Sequence, residues 1–195
     1  FKDNFIPFWL ISARDKVQKM GLLDETPRWA ENTERLYTLL RKFDIETLRK
    51  SPKISGYHWW LLQDYWTTSN GIIDTYFRLK PGISRDAIVQ FNNAVVLLQD
   101  ALKNVYRGGE PLQILLLASN FGPVNLADPK LSYKVIQGPD TLMEQTHSVF
   151  SVEQGSVAEL AKIEFPLPSV DSPARITIKA QLQAGEARYT NEWFT

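Results

Sequence analysis

Cysteine is absent from the 195 residues, and with it go disulfide cross-links, thiolate nucleophiles and thiolate metal ligands. The compartment stays open, because a chain without cysteine is compatible with either redox environment. Histidine is nearly absent: His58 sits in an aromatic run and His147 alone in a predicted strand, so no metal constellation is available and no metal or cofactor is expected. Excess charge of either sign is missing as well. Lys plus Arg number 22 and Asp plus Glu number 22, so no global field recruits nucleic acid or an anionic membrane, and neither is expected as a partner. No apolar run is long enough to cross a bilayer as a helix, and the start FKDNFIPFWL lacks the basic lead and long apolar stretch of a signal peptide. No glycine-rich phosphate loop is present, nor any Ser, His and Asp arrangement at a meaningful spacing. The chain starts at Phe1 rather than methionine, which reads as a processed or excised piece of a longer protein.

What the chain does have is apolar and aromatic material, 44% and 12% of its residues, enough for one large core or two small ones. The densest stretch is SGYHWWLLQDYW, from Ser55 to Trp66. It holds three of the six tryptophans and two of the seven tyrosines, with Gln63 and Asp64 between them. Such a run serves either as packing or as a saccharide wall, in which flat rings meet C–H faces and polar groups meet hydroxyls.

Two grammars follow one another along the chain. Ser12 reads as a helix N-cap with Asp15 three residues on and Gly21 as the stop. Thr26 and Pro27 then open a long helix whose stripe of Leu36, Leu39, Leu40 and Phe43 runs on until Pro52 ends it. Ile54 to Leu62, nearly all apolar and rich in aromatics, predicts a strand covered on both faces, with a second candidate strand around Phe5 to Ile11. Ser84 caps a last helix through about Phe91. Beyond Asn93 come seven short β-rich runs separated by turn signals such as GGEP, QGPD and QAGE. That arithmetic predicts an immunoglobulin-like antiparallel β-sandwich over residues 94–195 with Leu115, Leu117, Val135, Ile163, Ile176 and Ile178 facing inward. The fold class is therefore α+β, with a helix-strand-helix unit in residues 1–93 preceding the sandwich. A doubly covered strand belongs to a parallel sheet, and the first part supplies at most that one other candidate strand, too few to complete one.

The succession MGLLDETPRWAENTERLYTLLRKFDIETLRKSPKISGYHWWLLQDYWTTSNGIIDTYFRLKPG resembles the last helix, last strand and closing loop of the catalytic (β/α)8 barrel in glycoside hydrolase family 2. This is the class of β-galactosidases, β-glucuronidases and β-mannosidases. The continuation to ARYTNEWF resembles the β-sandwich that follows that barrel in some members. The telling order is Gly, aromatic, any residue, Trp, then a Gln-Asp pair, then Asn-Gly about seven residues on. The resemblance implies that Trp59 floors a sugar subsite and that Asn70 helps form its pocket. It also puts Gln63 and Asp64 at the strand end where barrel enzymes place their sites. Their plainer alternatives are a core indole for Trp59, a turn residue for Asn70 and a capping pair for Gln63 and Asp64. One residue earlier, His58 points to the opposite face of the predicted strand and reads as a partly buried, satisfied histidine.

Retaining glycoside hydrolysis needs two carboxyl groups about 5 to 5.5 Å apart, which the family carries at the ends of its fourth and seventh barrel strands. Neither motif occurs here. Glu25, Glu31, Glu34 and Glu46 lie on or beside predicted helices rather than at strand ends. The expectation is thus a C-terminal segment whose parent acts on carbohydrate, which has no catalytic residue of its own, and whose incomplete barrel portion self-associates when isolated.

Overall fold

The computed structural model describes residues 8–65 and 68–195. The described chain divides into two compact units, one comprising the residues up to Arg41 with His58–Arg85, the other Lys42–Tyr57 with Asp86–Thr195. Helix α2 (Thr26–Arg49) contributes to both.

In the first unit, α1 (Phe8–Lys19) starts at least four residues before Ser12, which lies inside the helix rather than capping it. Serine on an exposed helix face competes weakly with the backbone, so its presence alone does not mark a start. Phe8 to Ile11 are therefore helical and not part of a strand; the earlier residues of that expectation lie outside the described ones. Gly21 does stop α1. It takes φ 71°, and the N–H groups of Gly21 and Leu22 reach back to the carbonyls of Gln18 and Val17 at 3.0 and 3.1 Å, the Schellman pattern that glycine favours. A 3₁₀ turn over Leu23–Glu25 follows, and the Thr26 hydroxyl donates to Leu23 O at 2.7 Å.

The strand expected over Ile54–Leu62 is not formed. Among the described residues no ladder or bridge includes any of these positions, and Trp60 and Leu62 are 57% and 65% exposed rather than covered on both faces. An apolar run becomes a strand only where a neighbour accepts its backbone groups. Here the chain folds back on itself instead: Leu62 O accepts from Ile72 N and Ile73 N, and Asp64 N donates to Ile73 O.

The second unit is mostly antiparallel sheet. Helix α3 (Arg85–Phe91), preceded by Ser84 as expected, delivers Phe91 fully buried. The seven β-rich runs all form strands: β1 (Val95–Ala101), β2 (Pro111–Asn120), β4 (Lys130–Gln137), β5 (Asp140–Ser148), β7 (Ser156–Pro166), β8 (Ile176–Ala184) and β9 (Ala187–Phe194). Two-residue strands β3 (Leu126–Ala127) and β6 (Ser151–Val152) pair with each other. The others make sheets of order β1-β2-β7 and β5-β4-β8-β9. Gly138 and Gly185 supply the positive φ (55° and 56°) at the β4–β5 and β8–β9 hairpins.

The two sheets form a β-sandwich around one core. Leu97, Leu112, Ile114, Leu116 and Ile163 come from one sheet, and Leu131, Val135, Ile178, Leu182 and Trp193 from the other. Each fully buried Leu or Ile side chain contributes about 1.5–3 kcal/mol. Val135, Ile163, Ile176 and Ile178 face this core as expected. Leu115 and Leu117 do not. The run LQILLLAS is apolar at nearly every position, so alternation could not reveal its inner face, and a one-residue shift reverses it. Leu112, Ile114, Leu116 and Ala118 are the buried set. Leu117, half-buried, pairs with Leu98 on the opposite face, where Val96 and Leu98 are fully buried.

The end of α2 lies on that opposite face. Arg49 donates to Ser119 Oγ and Ser119 O at 3.0 and 2.9 Å and to the carbonyls of Asn93 and Ala94 at 2.8 and 2.9 Å. One turn earlier, Glu46 accepts from Trp193 Nε1 at 2.9 Å, from Asn191 Nδ2 at 2.7 Å, and from Lys42. Asn191 also donates to Leu97 O at 2.7 Å, tying the edge of β9 to that of β1. Burial pushes the Lys42 ammonium below the usual lysine range, partly offset by the Glu46 carboxylate. Removing one partner of such a pair leaves a buried charge. Lys42→Met is therefore expected to lower the unfolding free energy of this unit by about 3 kcal/mol, and Lys42→Met with Glu46→Gln to recover about half of that loss. Urea unfolding of the single and double variants checks both values.

Candidate functional site

The four residues singled out from the sequence all belong to the first unit, in the irregular loop between residues 57 and 83, and Tyr37 on α2 holds two of them, Trp59 and Asn70, directly. Tyr37 on α2 is the first anchor. Its hydroxyl donates to Asn70 O at 2.7 Å and accepts from Trp59 Nε1 at 3.0 Å, so residues 59 and 70 meet at one phenol. Arg41, a turn further along, lies over the Tyr37 ring at 5.0 Å and donates to Trp60 O at 3.2 Å.

Lys80 is the second anchor, 8% exposed. Its ammonium donates to Ser69 O at 2.6 Å and pairs with Asp64 at 3.0 Å and Glu34 of α2 at 3.4 Å. Asp64 Oδ1 also accepts from Gly71 N at 2.7 Å, closing the loop from 64 to 71. Gly71 is buried there, and a Cβ on it would stand 2.5 Å from Asp64 N and from Gln63 C. Glycine at 71 thus answers to space rather than to turn conformation. Gln63 bridges Ile73 through its backbone and donates its side-chain amide to Thr75 O at 3.3 Å.

The arrangement sorts the expected residues. Trp59 is half-buried with its N–H engaged, Asn70 contributes a backbone carbonyl, and the Asp64 carboxylate is occupied by Lys80 and Gly71. Gln63 is half-buried beside them. The rings open to solvent are others: Trp60 at 57%, Tyr65 at 45%, Tyr76 at 71% and Phe77 at 73%. His58, expected partly buried, is exposed and meets Trp60 edge-on at 6.1 Å. Without a strand there is no second face to shelter it. Sequence reading missed Tyr37, Lys80 and Glu34, because a residue that anchors a loop from a distance leaves no local pattern. Tyr76 and Phe77 were legible as adjacent rings in DTYFR.

Those two rings cap a tight turn. Asp74 Oδ1 accepts from Tyr76 N and Arg78 N at 2.8 and 3.0 Å, and Oδ2 accepts from Arg78 Nε at 2.8 Å. The backbone N–H of Arg78 chiefly, then its side chain and Tyr76 N–H, hold the Asp74 carboxyl below the usual aspartate range. Among the described residues no group of three or more His, Asp and Glu side chains could hold a metal ion. Glu34 and Asp64 share one buried lysine, an arrangement that stiffens a loop and offers no free general base.

A model of the family described as "Domain of unknown function (DUF8488)" matches residues 110–194, the strands from β2 to β9. No curated protein matches the chain. Among solved structures, the chain is similar to the sporulation control protein Spo0M of Bacillus subtilis, at 14% identity and TM-score 0.35, over 52% of this chain and 48% of that one. It is also similar to the β-glucuronidase of Parabacteroides merdae, at 14% identity and TM-score 0.38, over 52% of this chain and 13% of that one. The curli protein CsgC of E. coli matches at 9% identity and TM-score 0.35, over 50% of this chain and 95% of that one. At these scores none of the three bears on what this chain does.

Two outcomes follow from the loop geometry. Gly71→Ala displaces backbone atoms at 63 and 64, and amide exchange across residues 62–73 is expected to rise at least about tenfold, with the sandwich amides unchanged. Because the folded Asp74 carboxyl is depressed, its stabilisation of the 74–78 turn is full above the ordinary aspartate pKa of about 3.9 and is lost as pH falls through the lower folded value. The amide shifts of Tyr76 and Arg78 followed by NMR on acidification should report that loss, and Asp74→Asn should abolish the titration.

Proposed function

We propose that the chain is the C-terminal segment of a glycoside hydrolase of the family 2 type, in which the 57–83 loop frames a saccharide subsite and an immunoglobulin-like sandwich follows. One observation carries the reading: Trp59 and Asn70, picked out by the motif from eleven positions apart, are held together by Tyr37, with Gln63 and Asp64 in the same loop. Trp59 and Asp64 position the subsite, since their polar groups are engaged, and Trp60 presents the open ring beside Arg41 and His58. The chemistry of bond cleavage, by two glutamates in a retaining mechanism, belongs to residues outside this chain.

A second reading, a carbohydrate-binding module without catalysis, is favoured by the exposed aromatics and by the missing strand over Ile54–Leu62. The two part on simple measurements. The 195-residue chain is expected to hydrolyse no nitrophenyl glycoside above background. In the full-length enzyme, Trp60→Ala should lower kcat/KM for an aryl glycoside at least tenfold, about 1.4 kcal/mol of transition-state binding. Phe194→Ala, an exposed ring on β9, should leave it within about twofold. Equal effects would sink the subsite, and glycan-array binding by the chain itself, lost in Trp60→Ala, would favour the module.

A further inference from the structure

Arg49 is a cation buried in the second unit, 9% exposed, and it donates to three backbone carbonyls and the Ser119 hydroxyl, all neutral groups. Among the described residues no carboxylate forms an ion pair with it. Burial lowers its pKa, and the phenol of Tyr57, which lies within hydrogen-bonding reach of the guanidinium and donates to Asn92 at 2.6 Å, partly opposes this. Phe121 covers one face of the guanidinium at 5.1 Å. Buried charges in proteins are ordinarily paired, because carbonyl dipoles offset only part of the cost of leaving water.

Beside this cation lies a cavity of about 140 Å³, entirely within the same unit and lined by Arg49, Ser51, Ile54, Ser55, Tyr57 and Phe121 among others. The bonds to Asn93, Ala94 and Ser119 use four of the five guanidinium N–H groups. The walls combine apolar surface with two serine hydroxyls, and Arg49 is the only cation among the lining residues. One buried positive charge answers one negative charge, and a volume of this size holds a carboxylate with a short apolar tail. A phosphate dianion would call for a second cation and would leave the Ile54, Tyr57 and Phe121 surfaces uncovered.

We propose that this cavity is a binding site for a monocarboxylate bearing a small apolar or aromatic group, with Arg49 as its counter-ion and Tyr57 and Phe121 as its walls. The alternative is that Arg49 is a pin between α2 and the β1–β2 face and nothing more. Gly56 separates the two. It lines the cavity, and a Cβ built on it meets nothing within 4 Å, so Gly56→Leu places a bulky side chain at the cavity's rim without disturbing the Arg49 bonds.

The test uses phenylacetate, acetate and inorganic phosphate as probes on the 195-residue chain, read by ¹⁵N NMR of the Arg49 side chain and by thermal shift. Saturable binding of phenylacetate that moves the Arg49 Nε resonance, is at least tenfold tighter than that of acetate or phosphate, and disappears in Gly56→Leu at unchanged melting temperature is the expected result. Arg49→Lys should weaken phenylacetate at least tenfold. Absence of saturable shifts, equal binding by Gly56→Leu, or phosphate binding as tightly as phenylacetate would each overturn the assignment.

Discussion

The Glu46 carboxylate is the contact on which the second unit depends. A charge at 7% exposure costs several kcal/mol unless its lone pairs are filled, and Lys42, Asn191 and Trp193 fill them. Asn191 spends its second amide hydrogen on Leu97 O, so one chain of bonds runs from α2 through β9 to β1. Arg49 repeats the device one turn on. The helix end is thereby fixed in rotation and height by two polar groups, which hydrophobic contact, being non-directional, could not do alone.

This explains where periodicity misled. The stripe of Leu36, Leu39, Leu40 and Phe43 is the obvious apolar face of α2, yet all four are at least 42% exposed. The buried residues of the helix are Ile45, Glu46 and Arg49, two of which a hydropathy pattern assigns to solvent. Charged residues reveal themselves as interior only through partners, and apart from Lys42 the hydrogen-bond partners named here lie beyond position 90. The strands of the sandwich were legible for the opposite reason, because β-branched runs and glycine turns act locally. Their inner faces were legible only where polar residues alternate, as in KLSYKVIQ and ITIKAQLQ, and not in the uniformly apolar β2.

The candidate loop shows a similar division. Trp59, Gln63, Asp64 and Asn70, which their spacing brought into one motif, lie in one loop. Their exposure was not legible, because it followed from the missing strand. The Trp59 N–H is held by Tyr37, whereas the ring of its neighbour Trp60 is open to solvent.

The bond between Asp64 and Gly71 has a consequence for how the protein ages. Asn-Gly is the dipeptide most prone to deamidation, which begins when the glycine nitrogen attacks the asparagine side-chain carbonyl and closes a succinimide. At Asn70 that nitrogen is turned toward Asp64 Oδ1 at 2.7 Å, and the buried Gly71 backbone has no room to swing round. The lesion is therefore confined to moments when the loop is open. Isoaspartate accumulating at position 70 would act as a slow clock, counting the time each molecule has spent with this loop unfolded.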